Sequence, residues 1–286
     1  LKFVNASMKN NILIGFIFFI SPFLWGQSIT CSPADKQAVE NKIASIKQFN
    51  GSPIGESMTR IGKTFLGTPY VAKTLEVGTT ETLVVNIQGL DCTTFVENVL
   101  AFSMLLEQKE YSFDAFVKNL EIIRYKDGLL NGYASRLHYF SEWIANNTEK
   151  GLLKDISAEI GGVEISKEIN FMSTHRKLYP FLSDDNNFEK IKASEAYLND
   201  TSICYLPHDM IEANEHLMQS GDIIALTTSI NGLDVTHTGI ATKEQDGRIH
   251  LLHASTIGEV VVSQLPLADY LKKVKNNTGI MVARPL

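Results

Sequence analysis

Leu90-Asp91-Cys92-Thr93-Thr94-Phe95-Val96-Glu97-Asn98-Val99-Leu100-Ala101-Phe102-Ser103-Met104-Leu105-Leu106-Glu107 has the spacing of a helix built around a cysteine at its start. Phe95, Val99, Phe102 and Leu106 recur three and four apart on one stripe, with Val96 and Leu100 beside them. Asp91, Thr93 or Thr94 can cap the start. Cys92 then lies in the first turn, where backbone N–H groups lack partners within the helix and the dipole's positive end is near. Both features favour the thiolate, which is the nucleophilic form, and the same N–H groups can hold a developing oxyanion. A buried structural cysteine is the competing reading.

Outward from this helix the pattern splits in two. Toward the N-terminus, Val39, Ile43, Ile46 and Phe49 predict a helix over 34–49 that stops at Asn50-Gly51. A second helix is expected over 57–66, closed by Gly67-Thr68-Pro69, and a β-branched strand over 82–87. Toward the C-terminus, 113–125 and 135–145 are further helical segments; 158–209 is mixed and polar, with a loop at 184–187. From Ser220 the period shortens. Strands are expected over 222–228, 236–243, 248–254 and 259–265, separated by Asn231-Gly232, Asp246-Gly247 and Gly258. A short helix over 267–274 and a strand over 280–284 finish the chain. Helices followed by an antiparallel meander make an α+β arrangement rather than alternating βαβ units.

A nucleophilic cysteine needs a base. Of seven histidines, His237 in Thr236-His237-Thr238-Gly239-Ile240 starts one meander strand, and His253 in Leu251-Leu252-His253-Ala254-Ser255 ends the next. In an antiparallel hairpin these positions are cross-strand neighbours. One ring can act on the thiol while the other orients it. His250, three positions earlier, faces the opposite way in a regular strand and reads as structural or exposed. Taken singly, either histidine would more often be a satisfied structural residue.

The chain has 286 residues, 44% hydrophobic and 20% charged, with a formal net charge of -6 and a pI near 5.7. No basic run exceeds two residues, which argues against a nucleic-acid partner. Met8-Lys9, an apolar stretch from Ile12 to Trp25 and small residues near Gly26-Gln27-Ser28 predict a signal peptide over 1–26, with Met8 as the start. A retained N-terminal anchor is the alternative. The expectation is an exported chain, periplasmic or extracellular, with no stable membrane insertion after signal removal and a catalytic domain over 27–286. Three cysteines in an exported chain leave at least one free thiol or an intermolecular bridge. A Cys31–Cys204 disulfide would leave Cys92 as the free thiol.

Five motifs occur in order: Gly67-Thr68-Pro69-Tyr70, Leu90-Asp91-Cys92-Thr93-Thr94-Phe95-Val96, Gly221-Asp222-Ile223-Ile224, His237-Thr238-Gly239-Ile240 and His253-Ala254-Ser255. Together they resemble the NlpC/P60 cysteine peptidases. With Thr93-Thr94-Phe95-Val96-Glu97-Asn98, Tyr125-Lys126-Asp127-Gly128 and Ser135-Arg136-Leu137-His138-Tyr139-Phe140, the chain is similar more narrowly to the secreted N-acetylmuramoyl-L-alanine amidase-like family, over roughly residues 55–286. The resemblance implies a papain-like fold with the Cys-bearing helix packed on a C-terminal antiparallel sheet, interrupted by a large, mainly helical insertion over about 108–215. It implies Cys92 as nucleophile, His237 as base, His253 as orienting residue and Tyr70 at the cleft, with Asp91, Ser135, Arg136 and His138 as substrate contacts.

The implied activity is hydrolysis of the amide between N-acetylmuramic acid and L-alanine in soluble peptidoglycan fragments, 1,6-anhydro forms included, with no cofactor. A γ-D-glutamyl-diamino acid endopeptidase and a non-catalytic wall-binding module are the alternatives. A metal amidase using Cys92, His237 and His253 lacks a supporting HExxH or CxxC. Two departures bear on specificity: 22 positions separate Tyr70 from Cys92, and the insertion exceeds 100 residues. The stretch from Tyr125 to Trp143, with Arg136, His138 and the aromatics Tyr133, Tyr139 and Trp143, is expected to wall the substrate cleft, since aromatic faces stack on sugars and arginine grips carboxylates.

Overall fold

A computed structural model describes residues 29–286. The expected signal peptide, over 1–26, lies outside the described residues. Ser32 caps the first long helix by accepting from the Asp35 N–H, and Pro33 occupies its first turn. In chain order the elements are β1 (Ile29–Cys31), α1 (Pro33–Ile46), α2 (Ile54–Lys63), β2 (Leu83–Val85), α3 (Cys92–Gln108), α4 (Phe113–Arg124) and α5 (Phe140–Glu149). There follow β3 (Leu153–Asp155), β4 (Val163–Ile165), α6 (Phe171–Thr174), α7 (Asp185–Asn199), β5 (Ile203–Pro207) and α8 (Ile211–Asn214). The meander is β6 (Ile223–Thr228), β7 (Val235–Lys243), β8 (Ile249–Ala254) and β9 (Val260–Val262), closed by α9 (Leu267–Leu271) and β10 (Asn277–Pro285).

The main sheet is antiparallel, in the order β4-β5-β10-β6-β7-β8-β9, with β3 also on β10. Strand alternation divides its side chains between two apolar layers. Ile223, Ala225, Ile240, Leu252 and Met281 face α2 and α3, where they meet Phe65, Phe95 and Phe102. Ile224, Leu226, Ala241, Leu251, Ile280 and Val282 face Leu267, Ala268 and Leu271 of α9. Helix α3 is buried along most of its length, because α2, α4 and the sheet surround it. That burial includes a charge. The side chains of Glu97 and Arg124 are each 2% exposed and meet at 2.7 Å, and Arg124 also donates to the Val84 carbonyl. The pair ties α3, α4 and β2 together; removing one partner would strand a buried charge.

One expectation is corrected and one is extended. The stretch 108–215 is mainly helical, as expected, but it also supplies β3, β4 and β5, two of which pair directly with β10. The helix expected over 135–145 begins only at Phe140. Arg136 instead bridges Tyr125, and the Leu137 N–H donates to the Arg124 carbonyl at 3.0 Å. Backbone pairing with the end of α4 holds these residues extended.

Candidate active site

Cys92 is the first residue of α3, and Asp91 is its N-cap. The Asp91 carboxylate accepts from the Thr94 N–H at 2.8 Å, and the Thr94 hydroxyl accepts from the Asp91 N–H at 2.9 Å, a reciprocal capping box. Tyr70 is brought to the same place by stitching on both sides. Its N–H donates to the Gly258 carbonyl at 2.7 Å, and it bridges Leu90. The approach is close: a Cβ on Gly89 would lie 2.8 Å from Cγ2 of Val71. Burial raises the Tyr70 hydroxyl to about 12, and a charge on Cys92 or Asp91 adds to that. The phenol therefore stays protonated and keeps a proton to donate.

The thiol does not follow the expectation from its helix end. Burial pushes Cys92 up, and the Asp91 carboxylate adds to this; the Thr238 N–H and hydroxyl and the Thr93 hydroxyl pull it back only in part. The resting group is a protonated thiol, so a base must take its proton.

The base expected from the sequence, His237, stands on β7. His237 Nε2 lies 2.6 Å from His253 Nδ1, with the rings perpendicular at 87°. Their meeting depends on Gly239, where a Cβ would sit 2.9 Å from the Leu252 carbonyl and 3.0 Å from His253 Cβ. Burial, and then the neighbouring His253, lower His237 to about 3; burial lowers His253 to about 4. Both are neutral imidazoles near pH 7. Thr238, the residue after His237, lies against Cys92, so β7 passes the start of α3 one residue from His237. Alternation turns Thr238 and Ile240 toward α3 and His237 toward His253. A bulge between Val235 and His237 breaks the pairing at this point. Among the described residues Cys92 and His237 are not hydrogen-bonded to each other.

The family model of the N-acetylmuramoyl-L-alanine amidase-like (AmiA-like) proteins matches residues 60–280. The chain belongs to this family. A crystal structure of an N-acetylmuramoyl-L-alanine amidase from Bacteroides uniformis is 40% identical, with a TM-score of 0.76 over 82% of this chain and 99% of that one. A Bacteroides fragilis structure described as a "putative xylanase" is 44% identical, with a TM-score of 0.74 over 78% of this chain and 98% of that one. A Legionella pneumophila protein, 22% identical over 88% of this chain and 95% of that one, shares the fold with a TM-score of 0.67. No curated protein matches the chain. These matches name an amidase-like family and do not name NlpC/P60.

In this amidase-like chain the other expected substrate contacts lie elsewhere. Arg136 is 6% exposed and pairs with Glu76 and, at 3.3 Å, with Glu81. Glu81 accepts from the Tyr125 hydroxyl at 2.9 Å. Arg136 thus clamps the loop between Tyr70 and Cys92 onto α4's end, and its guanidinium is already taken up by two carboxylates. Ser135 closes its own turn, donating to the Gly132 carbonyl at 2.7 Å. His138 bonds the Tyr133 carbonyl at 2.9 Å, and burial, then Arg136, hold it well below the usual histidine range. Trp143, Tyr133 and Tyr139 are 0%, 2% and 2% exposed, so the expected sugar-stacking wall is apolar core. Asp222 of the Gly221-Asp222 motif is bound by Arg284 through two contacts of 2.8 Å and is structural. His250 is buried between the Ser263 carbonyl and Asp246, which settles it as structural. All three cysteines, Cys31, Cys92 and Cys204, are free thiols, so the Cys31–Cys204 bridge is not formed.

Two nearby residues, Tyr270 and Lys275, escaped the sequence reading. Tyr270 of α9 presents an edge to His253 at 5.4 Å between centroids. With Lys275 and Thr236 it lines a cavity of about 290 Å3 against the two histidines. A larger cavity, about 530 Å3, opens between α5, α7 and β5 and is lined by none of Cys92, His237 or His253. Nothing local in the sequence marks Tyr270 or Lys275, because a helix and a turn distant from the motifs deliver them. Among the described residues no group of histidine, cysteine and carboxylate side chains is arranged to hold a metal, and no helix is long and apolar enough to cross a membrane.

Proposed function

We propose that this chain is a cysteine N-acetylmuramoyl-L-alanine amidase with a papain-like, NlpC/P60-type triad, exported and acting on soluble peptidoglycan fragments. The observation that carries the reading is a capped helix-start cysteine with Thr238 of β7 set against it, one residue along from a hydrogen-bonded, neutral histidine pair, in a chain of the amidase-like family.

The hydrogen bond between the histidines dictates the tautomers. For His237 Nδ1 to accept the thiol proton, Nε2 must carry hydrogen and donate to His253 Nδ1. In the reaction, the Cys92 sulfur attacks the lactyl carbonyl of muramic acid as its proton passes to His237. The imidazolium that forms is stabilised through Nε2–H by His253. Tyr70 and the α3 N–H groups receive the charge that develops on the carbonyl oxygen. The proton on His237 then leaves with the L-alanine amine, and water, deprotonated by His237, hydrolyses the muramoyl thioester. Proton transfer requires the His237 ring to reach the sulfur when substrate is bound.

A glycosidase, as the name of the B. fragilis relative suggests, needs two carboxyl groups facing across the scissile bond. Here Asp91 stands beside Cys92 with one carboxylate oxygen committed to the helix cap, and the histidines occupy the opposing strand. That arrangement suits acyl transfer. The γ-D-glutamyl-diamino acid endopeptidase uses the same chemistry on another bond, and product analysis separates the two. A disaccharide-tetrapeptide should yield free disaccharide and an intact tetrapeptide starting with L-alanine, by mass spectrometry. Release of L-Ala-γ-D-Glu would assign the endopeptidase instead, and no cleavage would leave a wall-binding module.

A further inference from the structure

We propose that Thr238 is a positioning residue for the nucleophile: its hydroxyl, with its backbone N–H, receives the Cys92 thiolate as the thiol proton leaves. The inference rests on the cysteine reading above, but on separate observations. Thr238 is 1% exposed, and its Oγ1 is a buried atom with no hydrogen-bond partner. A buried hydroxyl without a partner is costly and calls for a reason. Its neighbours on β7 supply none: His237 turns to His253, and Gly239 has no side chain. Every other buried threonine hydroxyl of the meander, at Thr227, Thr228 and Thr242, has a partner in Thr278, the Ile230 N–H and Glu244.

What lies against Thr238 is the sulfur of Cys92. A neutral thiol is a poor acceptor, so the hydroxyl is idle in the resting enzyme. A thiolate is a strong acceptor, and a hydrogen bond to a charged partner is worth roughly twice a neutral one. The hydroxyl is therefore held ready for a charge that exists only after proton transfer. No bond to Thr238 is made or broken; the proton goes from Sγ to His237, and Thr238 keeps its own. The device offsets the burial and the Asp91 charge that otherwise oppose ionisation of Cys92. Its placement, one residue after the base on the same strand, moves proton acceptor and thiolate partner as a rigid unit.

The test is the pH dependence of Cys92 alkylation by iodoacetamide in the full chain, followed by peptide mass spectrometry, which needs no substrate. Thr238→Val keeps shape and burial but removes the hydroxyl; Thr238→Ser keeps the hydroxyl and loses a methyl. Thr238→Val should displace the alkylation profile toward higher pH, making labelling near neutrality slower by on the order of tenfold, while Thr238→Ser retains the wild-type midpoint. A structural role would instead track the lost methyl, with Ser the worse variant and the midpoint in Val unmoved; that result overturns the proposal. Because labelling is read without turnover, a chain that cut another bond, or none, would leave this outcome interpretable.

Discussion

His237 Nε2 stands 2.6 Å from His253 Nδ1, and this bond leaves Nδ1 as the one ring nitrogen of His237 free to meet a thiol. The two histidines therefore have unequal tasks. His237→Ala removes the base and should lower kcat/KM by about 10²–10⁴-fold. His253→Asn should cost less, since an amide oxygen can accept from Nε2–H, and His253→Leu should cost more than Asn because it cannot. An equal or reversed ranking of His237→Ala and His253→Asn would mean the roles are exchanged.

Burial places the pair's titration far from its ordinary range, with His237 near 3 and His253 near 4. In the free enzyme kcat/KM should show no acid limb near the ordinary histidine value of about 6.5. A limb with its midpoint there would contradict the neutral pair. Stability follows by linkage. The unfolded histidines bind protons below about 6.5 and the folded ones do not, so their contribution is complete above that value and is lost as pH falls toward 4 and then 3. Glu97 and Asp234, raised by burial, act in the opposite sense. The clean measurement is the Tm difference between wild type and a His237→Asn/His253→Asn variant, which should shrink from roughly pH 7.5 to 4.5.

Cys92→Ala should abolish turnover with the fold intact by circular dichroism, and iodoacetamide should label Cys92 in step with inactivation. Burial and the Asp91 charge hold the thiol above its usual range, so labelling should still be rising at pH values where an ordinary cysteine, at about 8.5, has half ionised. Hydrolysis retained by purified Cys92→Ala would end the thiol mechanism. Activity lost in EDTA and restored by zinc would revive the metal alternative.

Arg136→Ala probes the loop clamp. With Arg136 gone, Glu76 and Glu81 lose their cation, and stranding a buried charge typically costs about 3–5 kcal/mol. Guanidinium unfolding should show that loss, and adding Glu81→Gln should recover part of it. If Arg136→Ala kept full stability and raised KM alone, Arg136 would be a substrate contact after all.

The primary sequence determined the local features. Period placed α3 from Cys92, with Asp91 one of three candidate caps, and alternation with Asn-Gly and Asp-Gly turns placed β6 to β8 within about a residue of where they lie. Cross-strand logic also paired His237 with His253, since an antiparallel hairpin of known turn leaves little freedom in register. Tertiary structure decided which polar and aromatic residues are available. Arg136, Trp143, Tyr133 and Tyr139 look the same in sequence whether they wall a cleft or fill a core; packing of α5 and the Tyr70–Cys92 loop buries them. The state of Cys92 was likewise decided in three dimensions. A helix start favours the thiolate, but desolvation and the adjacent carboxylate are properties of the assembled site, and they outweigh it. Thr238 and Tyr270 gain meaning only from what the fold sets against them, a sulfur in one case and an imidazole in the other.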